Sequence, residues 1–218
     1  GLKEDNLYND INAACVMAGW DSLAGALTPL RGAAPTNSGL SNYDRGIGVS
    51  GDAANHIDTN RPGSADGQDD CHLSVFASSP ATNTTSGGRA YIGVGGNGAG
   101  AKNIISRYVS PLEMTFRVNN AGGQEEDTNS AVGFIGASRS SPTAIQGRAS
   151  QADYPFTVSS DGTDSNDLHV FAINWATNSL ASNPTLSFYS IGSATDLALL
   201  DARVSTLLAD LRAIEEVG

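Results

Sequence analysis

Between Cys71 and Ile191 the chain is a succession of short apolar-rich segments, cut at close intervals by clusters of Gly, Asn, Asp, Ser and Pro. No other feature constrains the fold as much. Pieces this short cannot be long helices, and the repeating block that a solenoid or propeller requires does not occur. Pro111 to Val118 carries the pattern most cleanly: Leu112, Met114, Phe116 and Val118 alternate with Glu113, Thr115 and Arg117. That is the period of a strand with one buried and one wet face. Cys71–Ala77, Arg89–Val94, Ala131–Ala137, Ala144–Ala149 and Thr185–Ile191 read as further strands. Leu168–Trp175 differs, because Leu168, Val170 and Ala172 lie on one face and Phe171, Ile173 and Trp175 on the other. Such a strand must be covered twice. The expected fold is mainly β, an antiparallel two-sheet jelly-roll sandwich.

The two ends read as helices. From Lys3 to Ala18, Leu7, Ile11, Ala14, Cys15 and Ala18 recur at helical spacing, Glu4 and Asp5 stand in the first turn, and Gly19 follows as a stop. At the other end Leu197, Leu200, Val204, Leu207, Leu208, Leu211 and Ile214 form one amphipathic stripe, with Ser193 as N-cap and Asp196 three positions on. This C-terminal helix is the expected lid for the second face of Leu168–Trp175, since its stripe also needs a surface to bury against. The organisation is therefore 1–44 for the N-terminal helix and its polar connection, 45–192 for the sandwich, and 193–218 for the packed helix.

Charge removes several roles. Lys and Arg number 12 against 23 Asp and Glu, a formal net charge of −11, where a nucleic-acid partner would require a basic stripe. No apolar run is long enough for a membrane helix, so membrane insertion is not expected. GLKEDNLYND is too polar and acidic for a signal peptide. Cys15 and Cys71 are far apart and read as small buried apolar residues.

The motifs that carry chemistry are sparse. Gly93-Val-Gly95-Gly96-Asn-Gly98 fits a dinucleotide fingerprint in letters, but no helical stripe follows it. Without a helix N-terminus there is no anion site, so it reads as a hairpin loop. Asp161, Asp164 and Asp167 share a loop of turn-forming residues that could supply oxygen ligands to calcium, although the spacing is not that of an EF-hand; no other cofactor is expected. A sandwich glycosidase needs two carboxylates across one bond. Glu113 has no partner two residues away, and Glu125, Glu126 and Asp127 fall in a Gly/Asn-rich loop, so no enzyme is expected. His56, His72 and His169 are scattered, with His72 and His169 in strands as structural histidines, and no Gly-x-Ser-x-Gly elbow occurs. Asn83-Thr84-Thr85 is a bare sequon. Tyr91, Arg107 and Tyr108 are the candidates for a sugar-binding surface, and Trp175 is read as structural.

Gly48-Val-Ser-Gly51-Asp52, Ile57-Asp58-Thr-Asn-Arg61, Asp66 to Asp70, Arg89-Ala-Tyr-Ile-Gly93, Phe188-Tyr-Ser-Ile-Gly192 and Asp196-Leu-Ala-Leu-Leu-Asp201-Ala-Arg203, with the lead-in Gly25-Ala-Leu-Thr-Pro-Leu-Arg-Gly32, resemble a recurrent module. It is the concanavalin A/laminin G-like jelly-roll domain of structural proteins in tailed bacteriophages and prophages, and the resemblance spans nearly the whole chain. It implies a non-enzymatic virion protein, made in the host cytoplasm and exposed on the particle surface. It would be a tail-fibre or minor tail component binding host-surface glycans, with other virion proteins and copies of itself as partners. Three alternatives stand beside this: a capsid decoration or head-fibre protein, a sandwich-fold polysaccharide hydrolase, and a cellular carbohydrate-binding module. The resemblance transfers no catalytic residues.

Overall fold

The computed structural model describes residues 1–82, 89–95, 102–109, 112–127, 132–175 and 180–215. In chain order its elements begin α1 (Leu7–Asp10), β1 (Ile11–Val16), α2 (Leu23–Ala26), β2 (Thr36–Asn37), β3 (Tyr43–Asp44), β4 (Gly48–Ser50), β5 (Ile57–Pro62), β6 (Cys71–Ser79) and β7 (Arg89–Gly95). There follow β8 (Lys102–Val109), β9 (Leu112–Val118), β10 (Gln124–Asp127), β11 (Gly133–Ser141), β12 (Ala144–Ala149), β13 (Ala152–Thr157), β14 (Asp167–Val170), β15 (Ile173–Asn174), β16 (Thr185–Gly192) and α3 (Leu197–Glu215).

The strands form two facing sheets. The first runs β13-β12-β11-β6-β16-β4-β3, with β1 also paired to β16, and the second runs β10-β9-β8-β7-β14-β5-β2, with β15 beside β7. Pairings are antiparallel apart from β15 on β7 among the described residues. Alternation delivers one face of each strand to the space between the sheets. Leu73, Val75 and Ala77 of β6 and Tyr189 and Ile191 of β16 meet Ile105, Met114 and Phe116 of the second sheet. Each large side chain so buried contributes about 1.5–3 kcal/mol. The two cysteines are buried and free, as expected.

A second core lies on the outer face of the first sheet. Leu197, Leu200, Val204 and Leu208 of α3 pack there on Phe134, Phe188, Leu7, Ile11 and Ala14. Gly136 makes room for the first turn, since a Cβ there would stand 3.0 Å from Leu197 Cδ2. Arg148 of β12 pins the same helix, donating from Nε to Asp201 Oδ2 at 2.9 Å and from Nη1 to Asp153 Oδ1 at 2.6 Å. Leu207 and Ile214 stay outside this contact, Ile214 being 66% exposed.

Four expectations are corrected. The Lys3–Ala18 stretch is helical only over α1, and Ile11–Val16 is a strand in register with β16, Ala13 opposite Ile191 and Cys15 opposite Tyr189. Ile11, Ala14 and Ala18 face the helix cluster while Ala13, Cys15 and Met17 face the core between the sheets. A strand buried on both sides loses its period of two, and what remains imitates a helix. Segment 1–44 is accordingly part of the sandwich, supplying β1, β2 and β3 to its sheets. Second, α3 does not cover Leu168–Trp175. That stretch breaks at Phe171, whose φ is 71°, and belongs to the second sheet, where Ile173 packs with Ala90, Ile104, Trp175 and Leu180. Third, the helix cap is Asp196, whose Oδ1 accepts from the N–H groups of Ala198 and Leu199, both at 3.0 Å. Fourth, Thr115 on the supposed wet face of β9 is buried, with the backbone of Gly123 folded against it.

Candidate functional site

The structure separates the residues read from sequence as candidates. Tyr91 is fully buried, its hydroxyl accepting the Ala81 N–H at 3.1 Å, and burial pushes its pKa up. Arg107 donates to the carbonyl of the same residue, Ala81. Both side chains fasten the chain leaving β6, and a ring with no exposed face cannot stack on a ligand. The side chain of Tyr108 lies outside the described residues, as do Asn83-Thr84-Thr85 and Gly96 to Gly98. The next described element after Gly95 is the strand β8.

The calcium reading is also corrected. Asp164 turns its carboxylate back onto its own loop, accepting from Asn166 N–H at 2.8 Å. Asp161 is exposed, and Asp167 sits in strand register opposite Pro62. Burial and the neighbouring Asp58 push the Asp167 carboxyl pKa up. Among the described residues, no three His, Cys, Asp or Glu side chains are placed to hold a metal. Gln124–Asp127 is a strand on β9 rather than a loop.

The histidines divide. His56 and His169 stack with ring centroids 4.0 Å apart and Asp58 Oδ2 3.8 Å from His169 Nε2, a pairing that sequence spacing did not anticipate. His72 is buried, as expected, with both ring nitrogens engaged. Its Nδ1 faces the Ser193 carbonyl, which only accepts, so Nδ1 carries the proton and Nε2 accepts from Ser190 Oγ at 3.0 Å. Burial holds its pKa below the ordinary imidazole value, against the opposing bond to Ser193.

His72 anchors one wall of the site that the fold does build. On the outer face of the first sheet, beyond the start of α3, lies a surface cleft of about 680 Å³. Ser138, Gln146, Pro155 and Thr157 of β11 to β13 form its floor, and Asp10, Thr195 and Asp196 its wall. Strand alternation explains the floor. Ile145 and Gly147 turn inward towards the core, so Gln146 between them faces outward. The wall depends on β1 reaching β16. Gly192 permits that approach, because a Cβ there would stand 1.8 Å from the Asp10 carbonyl oxygen. Ser193 N–H then donates to that carbonyl at 2.9 Å.

Segment 193–196 is held from several directions. Ala194 N–H donates to Asp70 Oδ1 at 2.8 Å, Thr195 N–H to Ser138 Oγ at 3.1 Å, and Thr195 Oγ1 to Asp10 Oδ2 at 3.1 Å. The result is a preorganised cleft of hydroxyls, one amide and two carboxylates over a partly apolar floor, within the size range of small-ligand sites. Sequence reading found none of it. Asp10 is a helix residue, the last of α1, and Asp196 caps α3, but only the β1–β16 pairing brings the two carboxylates to one cleft.

No family model matches the chain, and no curated protein matches it in sequence. Solved structures share its fold. Domain 4 of a GH43 extracellular arabinanase from Geobacillus stearothermophilus, in complex with arabinotriose, aligns with TM-score 0.57 at 12% identity, covering 88% of this chain and 99% of that one. Trypanosoma rangeli sialidase in complex with sialic acid aligns with TM-score 0.54 at 8% identity, over 92% of this chain and 33% of the sialidase. A mutant of that sialidase displaying trans-sialidase activity gives 0.55. At such identities the likeness is one of fold. It nevertheless corrects the expectation of a non-enzymatic protein. Structures that share this sandwich include a domain of an arabinanase and part of a sialidase, so the missing carboxylate alternation on β9 does not exclude an enzyme.

Proposed function

We propose that this chain recognises carbohydrate, and that the cleft between β11–β13 and the start of α3 is where the sugar binds. The observation that carries the reading is the composition of that cleft: hydroxyls of Ser138, Thr157 and Thr195, the Gln146 amide and the Asp10 and Asp196 carboxylates around Pro155. Sugars are bound by such a set, with amide and carboxylate oxygens accepting from ring hydroxyls and an apolar floor meeting the C–H face. The neutral arabinotriose bound by one fold neighbour supports the class of ligand. The motif resemblance supports a place for the chain on a tailed-phage particle, displayed towards the host surface among other virion proteins. Gold-labelled antibody against the chain, imaged on particles, tests that placement.

Binding is tested on a glycan array followed by calorimetry, with reducing ends released in the same mixture reporting any cleavage. Gln146→Ala removes the amide while leaving the inward-facing core untouched. It should weaken sugar binding about tenfold, the size of one to two lost hydrogen bonds, with the melting temperature nearly unchanged. An array without signal would sink the reading, and so would undiminished binding by the variant.

A further inference from the structure

We infer that the cleft accepts neutral, hydroxyl-rich oligosaccharides and turns away acidic ones such as sialylated or uronic-acid chains. This rests on the carbohydrate reading above and adds the class of sugar. The cleft is lined by two carboxylates, Asp10 and Asp196, and no Lys, Arg or His is among its lining residues. A third carboxylate, Asp70, stands behind the wall on the Ala194 N–H. The guanidinium nearest along β12, that of Arg148, is already engaged by Asp153 and Asp201.

The N-terminus of α3 would ordinarily favour an anion. Here the Asp196 carboxylate occupies it, Oδ1 taking the N–H groups of Ala198 and Leu199. Among the described residues the second oxygen of Asp196 has no hydrogen-bond partner, and Asp10 Oδ2 is bonded to the Thr195 hydroxyl alone. Both are acceptors suited to sugar hydroxyls and repel a sugar carboxylate. The net charge of −11 acts in the same direction over longer range.

The test compares ligands that differ only in charge: sugar acids on the binding scaffold found by the array, and their methyl esters. The ester should bind at least tenfold more tightly, roughly the effect of one like-charge contact in a half-screened site. The gap should narrow as salt rises towards about 1 M, where the screening length falls to roughly 3 Å. Asp10→Asn keeps an oxygen for the Thr195 hydroxyl and removes the charge, so the ester-to-acid affinity ratio should fall about threefold, whatever happens to the affinity for the ester itself. Acid binding as tight as ester binding overturns this inference while leaving the carbohydrate reading in place. A ratio unmoved by both salt and Asp10→Asn assigns the rejection to shape and overturns it as well. Absence of binding to every glycan, neutral or acidic, removes the carbohydrate reading and this one with it.

Discussion

Two arginines on adjacent strands of the first sheet are withdrawn from water and compensated in opposite ways. Arg148 faces outward from β12 beneath α3, between the carboxylates of Asp201 and Asp153. Arg139 faces inward from β11 at one end of the sandwich, with no exposed surface, and its bonds go to backbone carbonyls. Its Nε donates to Val118 at 2.7 Å, and its Nη1 donates to Ser141 and Val158, each at 3.1 Å. Its other terminal nitrogen has no partner among the described residues. Desolvation pulls both pKa values down. At Arg148 the hydrogen bonds and charges of the two aspartates outweigh it and the pKa ends raised, whereas at Arg139 nearby Cys71 and Asp69 do not outweigh it and the pKa ends lowered. The outer region is thus attached by ion pairs that fix a helix to a sheet. The inner one is tied by dipoles that join the end of β9 to the end of β11 and the residue after β13.

Removing the inner tie should cost most. Arg139→Ala strips three carbonyls of their donor and leaves a void, for an expected loss of about 3–5 kcal/mol in urea unfolding. A loss below about 1 kcal/mol would mean that water replaces the guanidinium without penalty. Next comes Asp201→Ala, which leaves a buried cation half compensated and should cost about 2–4 kcal/mol. The double change Arg148→Met with Asp201→Leu should recover most of that. If it does not, helix attachment depends on the shape of the pair rather than on its charge.

The smallest effect is a pH dependence at His72, where burial outweighs the bond to the Ser193 carbonyl and keeps the ring neutral. A folded-state pKa held below the unfolded value leaves the protein's stability intact above pH ~6.5. As the pH falls below that value the unfolded chain takes up the proton first. Stability then declines by at most about 1.4 kcal/mol per pH unit until the folded pKa is reached. Half-buried His56, its pKa lowered mainly by desolvation, adds in the same direction. Unfolding curves between pH 7.5 and about 5 should therefore slope less in His72→Asn than in the parent; equal slopes would remove His72 from the account.

The sandwich could be read from the chain because alternation and turn residues act locally. The pattern gives Ala144–Ala149 its observed bounds, and the strands at Cys71, Arg89 and Thr185 their observed starts. Where a segment is enclosed by more than one surface the local signal failed. β1, pressed between the inter-sheet core and α3, looked helical, and Leu168–Trp175 looked like a continuous strand in need of the terminal helix. The site candidates failed for a related reason. Tyr91 is equally suited to a core or to a sugar, and its surroundings alone decide between them.

What the sequence determined by itself is the material of the fold: many short two-faced strands and one long leucine-striped helix, both properties of neighbouring residues. Tertiary structure alone decided where that helix lies, that β1 pairs with β16, and that Asp10 meets Thr195 across 185 positions of chain. Those outcomes depend on which surfaces are close enough to exclude water together, and no local pattern in the chain encodes that.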